Sequence, residues 1–299
     1  MSRDRVKRSR RSDSWAAMAF LAPLAVIYGV YYVYSIAFLV RTSTTKVSIS
    51  FRNAIDVGWN NYVSLLHDSA FLRSIANTVI FAACSIVSAL VLGFVIAAAL
   101  ATGVRARKLY YVIFLVPTLM PSSLVATIFG SMLQERFGVV NETLRALGLG
   151  ALAQPWLSDR TLAFGVIVVI FCYLIGLPIM YFTADFSTLP TESLEAALLD
   201  GAGTFTIMRS IVYPMMAATR TTIILSLLLG SFRALEVVWF STQGGPGQST
   251  EIVGSYLYDF ATSSGPSIGF VSAAAIVVLL IAFVISTIQM LISGRKERI

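Results

Sequence analysis

Three ionisable side chains, Arg220, Arg233 and Glu236, stand in the apolar run 211–240. Such groups are costly in hydrocarbon, and those retained there tend to pair with one another or to line a path. Arg220 lies about 9 Å along a helix from Pro214 at 1.5 Å per residue, close enough for its guanidinium to snorkel to the nearer membrane face. Arg233 and Glu236 are three residues apart and are expected to share a helical face. Either they neutralise one another, or they face a cavity and hydrogen-bond a polar cargo. Sites for hydroxyl-rich organic molecules also use aromatic faces and polar groups, and Phe232, Trp239 and Gln243 stand beside the pair. Aromatic residues at a membrane boundary serve equally well as belt anchors.

Other chemistry is poorly provided for. His67 is the single histidine, so a histidine-based metal cluster is excluded. Cys84 and Cys172 lie in apolar runs without nearby basic partners and read as packing residues. A membrane-embedded enzyme would need a nucleophile and a base at one depth, and none is evident. No lysine is followed by serine or threonine, so no phosphate-binding Walker loop exists. The stretch Gly244-Gly245-Pro246-Gly247 enforces a turn, after which Thr250 is placed to cap a short helix through Phe260 that carries Tyr256 and Tyr258.

The elements that position these residues follow from composition. Of 299 residues, 57% are hydrophobic and 12% charged, half the charge of a typical soluble domain. An ordinary soluble enzyme is excluded, and the bilayer becomes the relevant solvent. Six segments are long enough to span: Trp15 to Val40, Ser74 to Thr102, Leu109 to Leu133, Thr161 to Ala184, Ile211 to Phe240 and Ile268 to Ser293. The expected fold class is an all-α polytopic membrane protein. The first segment is too long for a signal peptide and lacks a small-residue cleavage site. Pro23, Pro117, Pro121, Pro178 and Pro214 fall within or at the start of spans, each removing a backbone donor, and Ser122 and Ser123 are placed to satisfy a freed carbonyl.

Six spans put both termini on one side. Thirteen Lys and Arg flank that side, six of them in the first eleven residues, against seven on the other, so both termini are expected to be cytoplasmic. The amino-terminal cluster reads as an orientation signal that can also touch anionic lipid, rather than as a nucleic-acid arm. The expected division is a basic cytoplasmic tail at 1–14, one six-helix membrane domain at 15–293 and a cytoplasmic tail at 294–299. Within the domain a cytoplasmic loop covers about 188–210 and an outer loop about 241–267.

The cytoplasmic loop is the most informative stretch. Thr191 is a plausible N-cap, Glu192 and Glu195 place acid near the positive helix end, and Gly201 or Gly203 can stop the helix. Leu194, Ala197, Leu198 and Leu199 form an apolar stripe suited to a partner's groove or to the protein's own spans.

Glu195-Ala196-Ala197, then Asp200-Gly201, then nine residues to Ile211 and on to Pro214, resembles the EAA loop of ABC importer permeases. Tyr213 departs from the usual Leu before Pro. The resemblance covers most of the chain and is closest to the carbohydrate-uptake branch, similar to the larger maltose-transport membrane subunit. It is carried by Phe20-Leu21-Ala22-Pro23, Asn61-Tyr62, Leu65-Leu66, Asp68, Phe71, Ser74, Asn77-Thr78, Phe114, Pro117, Pro121, and Gly244-Gly245-Pro246 with Thr250. A second Pro late in the first span is missing around Val33, and Leu235-Glu236 stands where many relatives have Phe-Asp. In such a chain the glycosylation spacing Asn141-Glu142-Thr143 is coincidental.

The resemblance implies the type I importer permease fold, with the segment around Glu195 as a coupling helix seated in a cleft of a cytoplasmic ATPase. It implies two ATPase subunits that use ATP and Mg, no cofactor on this chain, and a second homologous permease, most simply as a heterodimer. It further implies an extracytoplasmic solute-binding protein delivering a sugar, contacted by the turn at Gly244, Gly245, Pro246 and Thr250, and a place in the bacterial cytoplasmic membrane. Two other cargo mechanisms compete: an ion-coupled secondary transporter, which would need buried acids or histidines near the midplane, and an ABC permease for a glycerol phosphate ester, where Arg233 would meet the phosphate.

Overall fold

A computed structural model describes residues 3–48, 54–262 and 267–296. Arg52 and Arg298 of the charge count, and residues 263–266 of the expected outer loop, lie outside the described residues. The order is α1 (Arg3–Ser43), β1 (Thr45–Lys46), β2 (Ile55–Asp56), α2 (Asn60–Leu66), α3 (Ser69–Ala101), α4 (Arg107–Leu119), α5 (Ser122–Met132), α6 (Val139–Ala146), α7 (Arg160–Tyr173), α8 (Gly176–Phe186), α9 (Thr191–Leu199), α10 (Thr204–Ile207), α11 (Tyr213–Met215), α12 (Ala217–Arg233), α13 (Glu236–Ser241), α14 (Val253–Thr262) and α15 (Ile268–Lys296).

Three helical stretches are long and apolar enough to cross a membrane unbroken: Met18–Ser43, Ser69–Ala101 and Ile268–Ser293. The third, fourth and fifth expected spans are instead bent pairs. The α4–α5 pair turns by 98°, α7–α8 by 41°, and the stretch Thr204–Met215 meets α12 at 69°. Proline sets two of these breaks. Pro117 lies in the last turn of α4 and Pro121 is the N-cap of α5, with Met120 held extended (ψ 145°) before it, as a residue preceding proline must be. Pro178 falls in the first turn of α8, where its missing N–H costs nothing. Pro23, by contrast, sits inside α1 without interrupting it. The second span starts earlier than its apolar pattern implied, at Ser69, because the Asp68 carboxylate caps α3 by accepting from the Ala70 and Phe71 N–H groups.

The chain divides into two compact units. The first comprises residues up to Leu65 together with Gly265–Ile276. In it α1 presents exposed apolar side chains from Met18 to Phe38, as a hydrocarbon solvent requires. The end of α1 is knitted to α2 by the Asn61 amide, which donates to the carbonyls of Ser43 (2.7 Å) and Thr45 (2.9 Å), and by a 2.7 Å bond between Ser43 Oγ and the Tyr62 hydroxyl. The Val47 carbonyl accepts from the Ile268 N–H at 2.8 Å, which fixes the start of α15.

The second unit, Leu66–Ser264 with Val277–Ile299, carries the loops and cavities of interest. Its centre is α3, packed on α7, α8 and α12. Ser85, Ala89, Gly93 and Ala97 recur every four residues and are all buried, so one face of α3 is a stripe of small side chains that lets neighbouring backbones approach. A Cβ at Gly93 would sit 3.2 Å from the Pro178 Cβ on α8. One apolar cluster, with Ile179, Phe182, Ile207, Val212 and Met216 at its heart, gathers around this stripe. A second gathers Phe81, Val125, Ile167, Ile170, Val238 and Ile252.

Where α7 gives way to α8, the freed backbone groups are met by one hydroxyl. Thr118 Oγ1 accepts from the Gly176 N–H at 3.0 Å and lies 3.4 Å from the Leu174 carbonyl. A Cβ at Gly176 would strike Thr118 Oγ1 and the Phe114 carbonyl. Replacing Gly176 with Leu is therefore expected to overpack a site that cannot relax, at about 1–3 kcal/mol. In detergent this should appear as a thermal midpoint lower by about 2–5 °C. Gly165→Ala, where a Cβ meets nothing within 4 Å, should leave the midpoint unchanged.

Candidate functional site

The segment from α9 to α11 is built at the carboxyl end of α9 as the EAA-like pattern leads one to expect. Asp200 is the C-cap of α9 and Gly201 follows at φ +77°. The Gly201 N–H donates to the Leu198 carbonyl and the Ala202 N–H to the Ala197 carbonyl, both at 3.0 Å, which is a complete Schellman motif. Glycine is needed there because a Cβ is disfavoured at positive φ. The helix begins at Thr191, with Pro190 as its N-cap residue, so Thr191 lies one position inside the expected boundary.

The expected apolar stripe of α9 is split. Leu194 and Ala197 pack inward on the cluster around Phe182, with Phe186, Leu189, Ala202 and Met208. Leu198 and Leu199 point away, and Leu199 is 90% exposed. Phe205, 75% exposed, joins them as the third large apolar side chain bared on this segment. Glu195, Ala196 and Asp200 are exposed as well. After α10 a single π-helical turn, Met208–Val212, leads into Tyr213 and the exposed Pro214. Proline lacks the donor that an α-helical ladder would need at this point.

Arg220 does not simply reach for water. Its guanidinium lies 4.4 Å over the ring of Tyr213, which in turn meets Phe94 edge-on at 5.0 Å. The departure from the usual Leu at Tyr213 thus supplies the platform for an arginine seven residues further on.

At the other end of α12 the helix stops at Arg233. Ala234 is extended (ψ 127°), Leu235 follows at φ −133°, and α13 opens with Glu236. Arg233 and Glu236 therefore do not share a helical face, and they form no salt bridge. The break nevertheless brings both onto one cavity of about 560 Å³, lined also by Ser122, Phe171, Ser226 and Leu229. Glu236 Oε2 accepts from the Ser123 N–H at 3.2 Å, so its carboxylate sits at the amino-terminal end of α5 as well as that of α13. Both helix ends favour negative charge. Phe232 is buried in the protein core. Trp239 packs edge-on against Tyr258 at 4.7 Å, and Gln243 is exposed beyond α13. None of these three lines the cavity. Ser122 and Ser226 do line it; Ser226 escaped sequence reading, and Ser122 was read only as a partner for a freed carbonyl, although serine beside Pro121 at a helix start was a signal for free N–H groups.

The outer turn is held by hydroxyls. Thr250 Oγ1 donates to the Gly245 carbonyl at 2.6 Å and lies 2.8 Å from Thr242 Oγ1, so Thr250 closes the glycine turn and does not cap α14. The Gly245–Pro246 peptide is cis. The Asn77 amide reaches from α3 to the carbonyls of Ser249 (3.2 Å) and Glu251 (2.8 Å), and Thr78 Oγ1 accepts from the Val253 N–H at 2.9 Å. The Tyr256 hydroxyl donates to Asp68 Oδ2 at 2.7 Å. Glu251, which sequence reading passed over, is only 8% exposed, and its carboxyl is pushed up to about 7. Burial is the main cause, followed by the charges of Asp259 and Asp68, with Arg73 opposing. Burial and the bond to Asp68 likewise raise the Tyr256 phenol.

Comparison with known proteins fits this architecture. The chain is 32% identical over 246 residues to the Probable ABC transporter permease protein YurN of Bacillus subtilis, covering 81% of this chain and 84% of that one. It is 27% identical over 286 residues to the multiple sugar-binding transport system permease protein MsmF of Streptococcus mutans, covering 95% and 96%. A crystallised bacterial ABC transporter for import of the acidic polysaccharide alginate contains a chain of the same fold, with a TM-score of 0.77 at 20% identity over 97% of this chain and 99% of that one. Residues 89–298 match the model of the binding-protein-dependent transport system inner membrane component. With that match over most of its length, the chain belongs to this family and is a multi-pass inner-membrane permease of an ABC importer.

Proposed function

We propose that this permease passes a sugar or oligosaccharide across the cytoplasmic membrane, with the cargo delivered by an extracytoplasmic solute-binding protein. The observation that carries the reading is the α9–Gly201 segment. Its inner side is gripped by the protein's own core, while Leu198, Leu199 and Phe205 are bared. Exposed apolar groups of this size on one short segment suit a partner's groove. The partner on this reading is one of two cytoplasmic ATPases, which bind ATP and Mg and supply the energy. Both termini then lie in the cytoplasm, and a second homologous permease completes the path as a heterodimer.

Carbohydrate cargo is supported by the sugar-transport name of the Streptococcus mutans relative and by the cavity itself. Arg233 and Glu236 offer donor and acceptor groups, Ser122 and Ser226 offer hydroxyls, and Phe171 offers an aromatic face. Closure of the ATPases on ATP would act through α9 on the packed bases of α8 and α12, moving the pair of permeases between inward-facing and outward-facing states. The turn at Gly244, Gly245, Pro246 and Thr250 is the segment we assign to contact with the binding protein.

Tagged protein, gently solubilised from its native cell and analysed by mass spectrometry, should bring down an ATPase and a second permease. Leu199→Glu should cut ATPase recovery at least about tenfold, as loss of an interface anchor does, without lowering the yield of the permease itself, because that side chain touches little of its own chain. A chain that purifies alone and moves its cargo on an ion gradient would overturn the reading. In the purified complex, neutral sugars with their binding protein should raise ATP hydrolysis, and Glu236→Gln should weaken that response by about tenfold, the worth of one hydrogen bond to a charged group. Stimulation by glycerol phosphate esters alone would replace the sugar assignment.

A further inference from the structure

Glu251 joins α14 to the glycine turn, and its surroundings give its carboxyl a task that the translocation path does not explain. The backbone around it is firmly tied. Its carbonyl accepts from the Asn77 amide at 2.8 Å, and the Thr250 N–H before it donates to the Gly244 carbonyl at 3.3 Å. Gly244, at φ +81°, rests directly on the Glu251 side chain, since a Cβ there would lie 3.5 Å from the Glu251 Cβ. The side chain itself is not tied. Oε2 is buried with no hydrogen-bond partner, although the residue is more than nine-tenths buried.

The charged groups facing it come from two helices. From α3 and its cap come Asp68, already engaged with Tyr256 and with the helix N–H groups, and Arg73. From α14 come Asp259 and the Tyr256 phenol. Two carboxylates against one guanidinium, around a buried side chain, make a third negative charge unfavourable there. A neutral carboxyl can stay where the structure puts it, whereas a carboxylate is better hydrated outside.

We propose that Glu251 is a protonatable latch: its buried side chain fits the packing of the turn 243–250 near the amino-terminal end of α3 only as the neutral carboxyl, and its ionisation accompanies release of that turn. Glu251 is thus a positioning residue for the turn. The sign follows from the raised value. The latched form keeps the proton to about pH 7, whereas the released side chain ionises in the ordinary carboxylate range. Latching is therefore at full strength below that range, weakens as pH rises from there to about 7, and changes little above.

Hydrogen exchange on the intact transporter in detergent, corrected for intrinsic rates, reads this directly at the Gly245 and Thr250 amides. Protection should fall about twentyfold from pH 5.5 to pH 7.5, as linkage of one carboxyl with that shift requires. Glu251→Gln, uncharged at every pH, should remove this dependence while keeping the turn protected at pH 7.5. Asp259→Asn, by deleting one of the facing charges, should make the dependence shallower and end it at lower pH. Equal pH dependence in Glu251→Gln and wild type, or a flat wild-type profile, would overturn the proposal. These readings involve no cargo. The further expectation that ATP hydrolysis stimulated by the binding protein follows the same profile rests on the proposed function, and its failure with the exchange profile intact would count against the docking role of the turn and not against the latch.

Discussion

Hydrocarbon offers nothing to a peptide group that has lost its helical partner, so every interruption of a spanning helix must be sealed from within the protein. This chain interrupts three of its spans, and the seals explain where its polar side chains stand. Thr118 closes the α7–α8 gap by serving both the Gly176 N–H and the neighbourhood of the Leu174 carbonyl. Glu236 closes the start of α5 by accepting from Ser123. The break at Ala234 and Leu235, which looks like damage to α12, is what puts Arg233 and Glu236 on the same cavity. The acid on the cavity is also part of the structure that shapes it. Substituting it disturbs helix-end electrostatics and cavity chemistry together.

Beyond the spans a different principle operates. The turn at Gly244–Thr250 contains too little apolar surface to fold by burial, and it is held by side-chain hydrogen bonds from residues far away in sequence. Asn77 and Thr78 reach it from α3, and Arg160 approaches the Gly247 carbonyl from the start of α7. A turn held this way is well defined yet cheap to release, because each bond is worth only about 1 kcal/mol net. The outer knob around α6 shows the same economy in a more permanent form. There buried Asn141 alone bonds the carbonyls of Glu135 and Gln154, the Gln154 N–H and the Trp156 indole.

Much of this was legible in the sequence, and the parts that were not share a cause. Apolar runs located the spans, prolines marked two of the breaks, and Glu195 through Gly201 marked a short helix down to its glycine cap. Periodicity failed wherever it assumed an unbroken helix. The i, i+3 relation between Arg233 and Glu236 does not survive the extended Ala234. The stripe on α9 was read as one face, but the helix is gripped at Leu194 and Ala197 and bared at Leu198 and Leu199, a division set by the core around Phe182. Glu251 was invisible because nothing local marks it; only the approach of Asp68, Arg73 and Asp259 in three dimensions makes it unusual.

The small-residue stripe on α3 has a mechanical side. Ser85, Ala89, Gly93 and Ala97 allow close packing because they lack bulk, and for the same reason they offer no knobs to lock into holes. A bearing of this kind resists separation but not travel along its axis, since sliding needs no rotamer to change. Interlocking comes from within the stripe, beside Gly93, where Phe94 meets Phe182, Phe186 and Tyr213. The friction between α3 and α8 is thus concentrated in one aromatic clasp.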